Sequence, residues 1–278
     1  MAIDVHIHTR GTEDGNKILK AMDEVGLKRV VLFAVPPHRS EEAKGEKQPH
    51  KIILDQIAKL VKVDPERLIG FAWIEPTLED AVDAVKYAFE EKGLCGVKMI
   101  PNHWYPADEG PQACFAKINE YGKPMLFHTG ILWGRSDTSQ HCRPAFFEIM
   151  LHYPKIRFAM AHLSWPWTDE CFAVCGKFRA AGGYKPENWR SYADMTSGAP
   201  RIWKTDAMRK GLAYMGDRQF VYGSDCFNAE DPEALKHNLT EDREILAECG
   251  CSKETMDRIF VENAERWLGI TQSVESRE

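Results

Sequence analysis

Along the chain, short apolar runs alternate with amphipathic stretches of helical period. The runs are IDVHIH at Ile3 to His8, RVVLFAV at Arg29 to Val35, RLIGFAWI at Arg67 to Ile74 and LCGVKMI at Leu94 to Ile100. They continue as PMLFH at Pro124 to His128, IRFAMAH at Ile156 to His162, the segment Ser191 to Thr196, and QFVYGSD at Gln219 to Asp225. Runs of this length, rich in β-branched and aromatic residues, predict strands. Between the third and fourth, Leu78, Ala81, Val82, Val85, Ala88 and Phe89 fall at helical spacing, with Thr77 placed to cap the helix and Gly93 to end it. VGLKRV, YGKPM, YPKIRF and MGDRQF each set a turn residue and a basic residue ahead of the next apolar run, the form of a short helix-to-strand turn. No Ser/Gly linker or low-complexity stretch divides the chain. Eight strands with intervening helices predict an α/β fold, a single (β/α)8 TIM-type barrel of parallel strands with outer helices over residues 1–270, better than two open sheets. Residues 271–278 read as a polar C-terminal tail.

Composition narrows the function classes. A chain of 278 residues with 44% hydrophobic and 28% charged content can bury a large core, which excludes disorder and fibrous repeats. The longest apolar run, Val30 to Val35, is far below the roughly 18 residues of a membrane helix, and no basic and apolar leader precedes the first strand. The expectation is a cytoplasmic protein without a membrane partner. A net charge of -6 with no basic patch argues against nucleic acid. The eight cysteines show no C-x-x-C pair and read as reduced thiols.

Barrel enzymes build their sites at the C-terminal ends of the strands. Of ten histidines, His6, His8, His128 and His162 sit at three predicted strand ends, and Asp225 ends the eighth strand. His6 and His8 are two apart on a strand and so share a face. One histidine at a strand end is ordinarily a surface or core residue; imidazoles and a carboxylate converging from separate strands make a site for one divalent ion, with Zn²⁺ favoured and Mn²⁺ or another divalent ion open. The remaining histidines carry no catalytic assignment, although His103 and His141 lie in loops that face the same end. Glu75 and Asp194 end the third strand and lie near the end of the seventh, where orienting a ligand and simple structural hydrogen bonding are both open.

Asp4-Val-His6-Ile-His8, Gly96-Val-Lys98, Phe127-His128-Thr129-Gly130, Ala161-His162 and Gly223-Ser224-Asp225, in that order, resemble the amidohydrolase superfamily. The ending Asn263 to Gly269 (NAERWLG) further resembles its amidohydrolase-related branch, which holds hydrolases and decarboxylases of the aminocarboxymuconate semialdehyde type. The resemblance implies His6, His8, His128 and Asp225 as metal ligands and His162 as the acid/base. The physics is compatible, since a metal on neutral imidazoles can lower the pKa of bound water to about 7 while a free imidazole moves the proton. Asp225 would then ligate and also accept a proton.

Lys98 is read as binding a substrate anion; carboxylation to bridge two ions, as in two-metal relatives, and a lysine that only lines the rim are the alternatives. Trp104, Tyr105, Trp133, Trp165 and Trp167, with Arg10 and Arg135, lie in the loops that would form a chamber. From these, Arg10, Lys98, Trp104, Trp133, Arg135 and Trp165 are assigned to substrate, a small flat or unsaturated carboxylated molecule, against the plainer reading that the tryptophans anchor loops. Residues Ile131 to Arg143 read as a lid. The main expectation is a metal-dependent hydrolase, with a non-oxidative decarboxylase on the same site as the alternative. A metal-dependent phosphoesterase or nuclease and a non-catalytic metal-binding barrel follow behind. A homodimer is compatible with barrel enzymes in general.

Overall fold

A computed structural model of the chain describes residues 1–134 and 137–270; Arg135 and the tail at 271–278 lie outside the described residues. Eight parallel strands form one sheet in sequential order: β1 Ala2–His8, β2 Leu27–Phe33, β3 Leu68–Trp73, β4 Gly96–Met99, β5 Met125–Phe127, β6 Phe158–Met160, β7 Ser191–Asp194 and β8 Phe220–Val221. The sheet curls until its edges meet. Val5 N donates to Tyr222 O, Asp225 N to His6 O and His8 N to Cys226 O at 2.8–2.9 Å, joining β8 and its continuation to β1. The result is a (β/α)8 barrel.

The outer layer is helical. Helices α1 Gly15–Val25, α2 Pro49–Val61, α3 Ala81–Lys86, α4 Glu109–Tyr121, α5 Thr168–Ala181, α6 Arg201–Met215 and α7 Pro232–Glu248 follow successive strands, and α8 Lys253–Asp257 and α9 Asn263–Leu268 end the chain. The exception follows β5, where the outer segment Pro144–His152 winds as a 3-10 helix. The helix expected from Leu78 begins only at Ala81. Thr77 does not cap it; its hydroxyl donates to Glu75 Oε1 at 2.8 Å, and Asp80 holds the capping position. The chain continues from α3 through a π-helical turn at Tyr87–Glu91, and Gly93, at φ +64, reverses it as expected.

The core is continuous from the strands into the inner faces of the helices. At the N-terminal end of the strands, α9 closes the barrel with Trp267, fully buried against Phe71 at 5.4 Å between ring centres. Arg157 donates to Trp267 O, Asn263 Nδ2 donates to Phe220 O, and Glu265 pairs with Lys28 and Arg29. Among the described residues no helix is long and apolar enough to cross a membrane. All eight cysteines are free thiols.

The strands stop short of the ends expected from sequence at the mouth. His128 lies one residue beyond β5, His162 two beyond β6 and Asp225 four beyond β8. There the chain leaves the sheet to reach the outer helices, so ladder hydrogen bonding ends while the side chains still face inward. His162, Leu163, Ser164 and Asp225 take φ of +113, +28, +52 and +58. Left-handed backbone at residues other than glycine costs about 1–3 kcal/mol each and persists where the surroundings enforce it, most often at functional sites.

Candidate metal centre

Five side chains converge at the mouth. The ring centres of His6 and His162 are 5.0 Å apart, those of His128 and His162 4.6 Å, and those of His6 and His8 5.3 Å. Asp225 Oδ1 lies 3.1 Å from His8 Nε2 and 3.4 Å from His6 Nε2. One ligand atom from each of His6, His162 and Asp225 falls within 4.8 Å of the others, a spacing at which one cation could take all three.

Each ring has its other contacts arranged. His6 is fully buried, and its Nδ1 donates to Asp194 Oδ2 at 2.7 Å, which leaves Nε2 turned towards Asp225. Asp194, on β7, also accepts from Thr196 N and Thr196 Oγ1. Burial pushes its carboxyl up to about 7, but three donors directed at its two oxygens suit the carboxylate, and Lys98 favours that form. His162 Nδ1 donates to Ser197 O at 2.7 Å, so Nε2 is its open nitrogen. His8 lies parallel to Phe227, with ring centres 4.4 Å apart. His128 differs, for its Nε2 donates to Ile131 O at 3.2 Å.

Burial lowers the pKa of His6, His8 and His128, and brings His162 down to about 4, so the rings are neutral and carry lone pairs. Burial also pushes Asp225 upwards, but the hydrogen bond from His8 and the charge of Lys98 oppose it, and the carboxyl lies below its usual range. Neutral imidazoles beside an ionised carboxylate, with His6 oriented by a second carboxylate, are the donor set that a divalent transition ion takes. The residues fit such an ion.

The resemblance implies His128 as a ligand and His162 apart from the ligands; in the structure a His162 ring nitrogen lies within 4.8 Å of ligand atoms of His6 and Asp225, and His128 Nε2 donates to Ile131 O. Gly223 makes the close approach possible, since a Cβ there would stand 2.6 Å from His6 Cβ and 2.9 Å from Asp194 Oδ1.

Above the cluster opens a chamber of about 390 Å³ with His8, His128, His162 and Asp225 in its wall. Trp133 and Trp165 line it, joined by Pro36, Trp73, Ile100 and Phe227. Arg10, Lys98 and Trp104 do not. Arg10 is an exposed residue outside the lining, with its backbone N–H donating to Glu13. Trp104 is buried outside the lining. Lys98 is fully buried inside the barrel, Nζ 3.1 Å from His6 Nε2 and 4.9 Å above the Phe33 ring. Burial lowers its pKa to about 8 against the pull of Asp225 and Asp194. The cation in the chamber wall is Arg39, following β2, and among the described residues it is the only Arg or Lys there. Its neighbours, Pro36-Pro37-His38, carry no motif in the sequence; the available signal is its position six residues beyond the end of β2, in the loop at the mouth of the barrel. Glu75 also lines the chamber, and its backbone N–H donates to the buried His50.

The Amidohydrolase family model matches residues 3–270. The chain belongs to the amidohydrolase family. It is an amidohydrolase-superfamily enzyme by that match, and solved structures share its fold at low identity. A 2,6-dihydroxybenzoate decarboxylase from Rhizobium is 12% identical with a TM-score of 0.67, covering 96% of this chain and 98% of its own. A 5-carboxyvanillate decarboxylase from Novosphingobium aromaticivorans, complexed with manganese and 4-hydroxy-3-methoxy-5-nitrobenzoic acid, is 14% identical with a TM-score of 0.65, covering 97% and 96%. An uncharacterized TIM-barrel protein from Bordetella bronchiseptica is 15% identical with a TM-score of 0.70, covering 96% and 98%. No curated protein matches the chain.

Proposed function

We propose that this amidohydrolase-family protein is a metal-dependent, non-oxidative decarboxylase of a small aromatic or unsaturated carboxylic acid. The observation that carries the reading is the chamber, in which flat apolar walls from Trp73, Trp133, Trp165 and Phe227 lead to a floor of neutral imidazoles and one ionised carboxylate. Such walls bury a ring and leave one polar end to be fixed. The fold shared with decarboxylases of hydroxylated benzoates supports it.

His6, His8 and Asp225 would hold the ion, with His162 Nε2 beside it; Zn²⁺ and Mn²⁺ both suit this donor set. When bound, the ion supplies Lewis-acid stabilisation of negative charge on the substrate. Arg39 offers a guanidinium in the chamber wall, suited to a substrate carboxylate or phenolate. The aromatic walls exclude water and hold the ring in one plane. As the bond from ring carbon to carboxylate breaks, CO₂ leaves and a proton takes its place on that carbon. His162, fixed through Nδ1 by Ser197 O, presents an unprotonated Nε2 that takes a proton from water or from an acidic hydroxyl of the substrate and passes it to that carbon, and Asp225 is the second group able to relay it.

A hydrolase would use the same residues, with His162 or Asp225 removing a proton from water that attacks a carbonyl. The experiment that separates the two incubates protein loaded with Zn²⁺ or Mn²⁺ with a panel of hydroxybenzoates and with the matching amides and esters. Metal-dependent CO₂ release, lost on chelation, is expected. Turnover of amides or esters without CO₂ release would establish hydrolysis instead.

A further inference from the structure

At the rim of the chamber, three indoles stand nearly parallel. Trp133, in the loop after β5, and Trp165, in the loop after β6, have ring centres 6.3 Å apart at 16°; Trp165 and Trp203, in the first turn of α6, are 5.4 Å apart at 19°. Successive strand-to-helix connections therefore each contribute one ring. Trp133 is 74% exposed and Trp203 52%, so two large apolar surfaces, each next to Trp165, face water. Single exposed apolar residues are normal, but a contiguous patch at the rim of a cavity marks a binding surface.

We propose that this ladder is an outer aromatic subsite, which holds a second, uncharged flat ring of an extended substrate whose carboxylated ring occupies the chamber. The inference rests on the decarboxylase reading only for which end of the ligand enters. Trp165 is what joins the two spaces, since it lines both the chamber and an adjoining open groove of about 580 Å³ walled by Pro166, Trp203 and Ala207. A ligand leaving the chamber along Trp165 reaches Trp203, whose ring lies 5.4 Å from that of Trp165. The charges of the groove indicate an uncharged occupant. Lys210 pairs with both carboxylate oxygens of Asp169 at 3.2 Å, and Arg209 pairs with Asp206 at 3.4 Å, so each cation already has a carboxylate partner. A neutral phenyl or phenol ring gains stacking there, whereas a second carboxylate would compete with those aspartates.

The test is equilibrium binding to the metal-loaded protein, comparing benzoate with biphenyl-4-carboxylate and 4-(benzyloxy)benzoate. At least one two-ring acid should bind about three- to tenfold tighter than benzoate, the range of one added aromatic stack. Trp203→Ala should abolish that advantage while leaving benzoate binding unchanged, and Trp203→Phe should restore most of it. Equal affinity for one-ring and both two-ring acids in the unmodified protein, or a full advantage retained in Trp203→Ala, overturns the subsite. Sedimentation of the ligand-free protein supplies the other decisive outcome. A dimer that dissociates on Trp203→Ala would make the ladder a contact between copies and overturn the proposal. Binding is read without turnover, so absence of CO₂ release with intact two-ring selectivity would defeat the decarboxylase reading alone.

Discussion

At the mouth of the barrel, His6, His162 and Asp225 crowd polar atoms within 4.8 Å of one another, and two of these residues sit in left-handed backbone. At the base, Trp267 fills the interior against Phe71, and Phe71 in turn covers Gly96, where a Cβ would stand 2.4 Å from the ring. The two ends are built on the same strands and are comparably buried, yet they store free energy in opposite ways. The base gains from apolar area removed from water and from close packing. The mouth gives up part of that gain to hold unpaired lone pairs, a buried cation and strained backbone in place. Disturbing the base should therefore lower stability and spare chemistry, while disturbing the mouth should do the reverse.

The largest expected effect is at the mouth. His162→Asn should lower CO₂ release on the order of 10²- to 10⁴-fold, the contribution of a positioned proton-transfer group, with a much smaller change in unfolding midpoint. Metal content of the same preparation sharpens the result. Stoichiometric metal makes His162 the acid/base alone, and loss of metal makes it a ligand, as its distance to His6 and Asp225 permits.

Next comes the base. Trp267→Ala should cost about 3–5 kcal/mol in denaturant unfolding, from lost burial and the cavity left behind. Turnover per folded molecule should stay near that of the unmodified protein. A parallel loss of metal would show that the two ends are mechanically joined and break the comparison.

Asp194→Asn probes the link between them more gently. The amide can still meet His6 Nδ1, but without the carboxylate's charge, so metal affinity should fall about 10- to 100-fold in a competition titration. An unchanged affinity would make Asp194 a structural hydrogen-bond acceptor only. The smallest effects separate two arginines. Arg39→Ala should raise KM by an amount corresponding to roughly 1.5–3 kcal/mol, one charged hydrogen bond, while Arg10→Ala should alter KM by no more than about 0.5 kcal/mol. Equal effects would move the substrate's anionic end away from Arg39.

How much of this was legible beforehand differs by residue. The eight strands and the gathering of His6, His8, His128, His162 and Asp225 at one end follow from apolar periodicity and from counting positions to each strand end, because alternation and parallel connection leave few topologies. Strand ends were less legible, since the expected runs continue past the last ladder hydrogen bond wherever the chain stays apolar while turning outward. The same limit hid the late start of the third helix. Thr77 looks like a cap in the sequence, but its hydroxyl is taken by Glu75.

The sequence by itself determined the fold class, the end of the barrel that carries the chemistry and the residue types available there, because these depend on periodicities and donor chemistry that are local. Tertiary structure alone decided which donors share a point in space, that Lys98 lies inside the barrel rather than in the chamber, and that Arg39 rather than Arg10 faces it. It alone set Trp203, far along the chain, parallel to Trp165. Those outcomes depend on where rings and loops from different strands come to rest when packed, and no spacing along one segment encodes the distance between two.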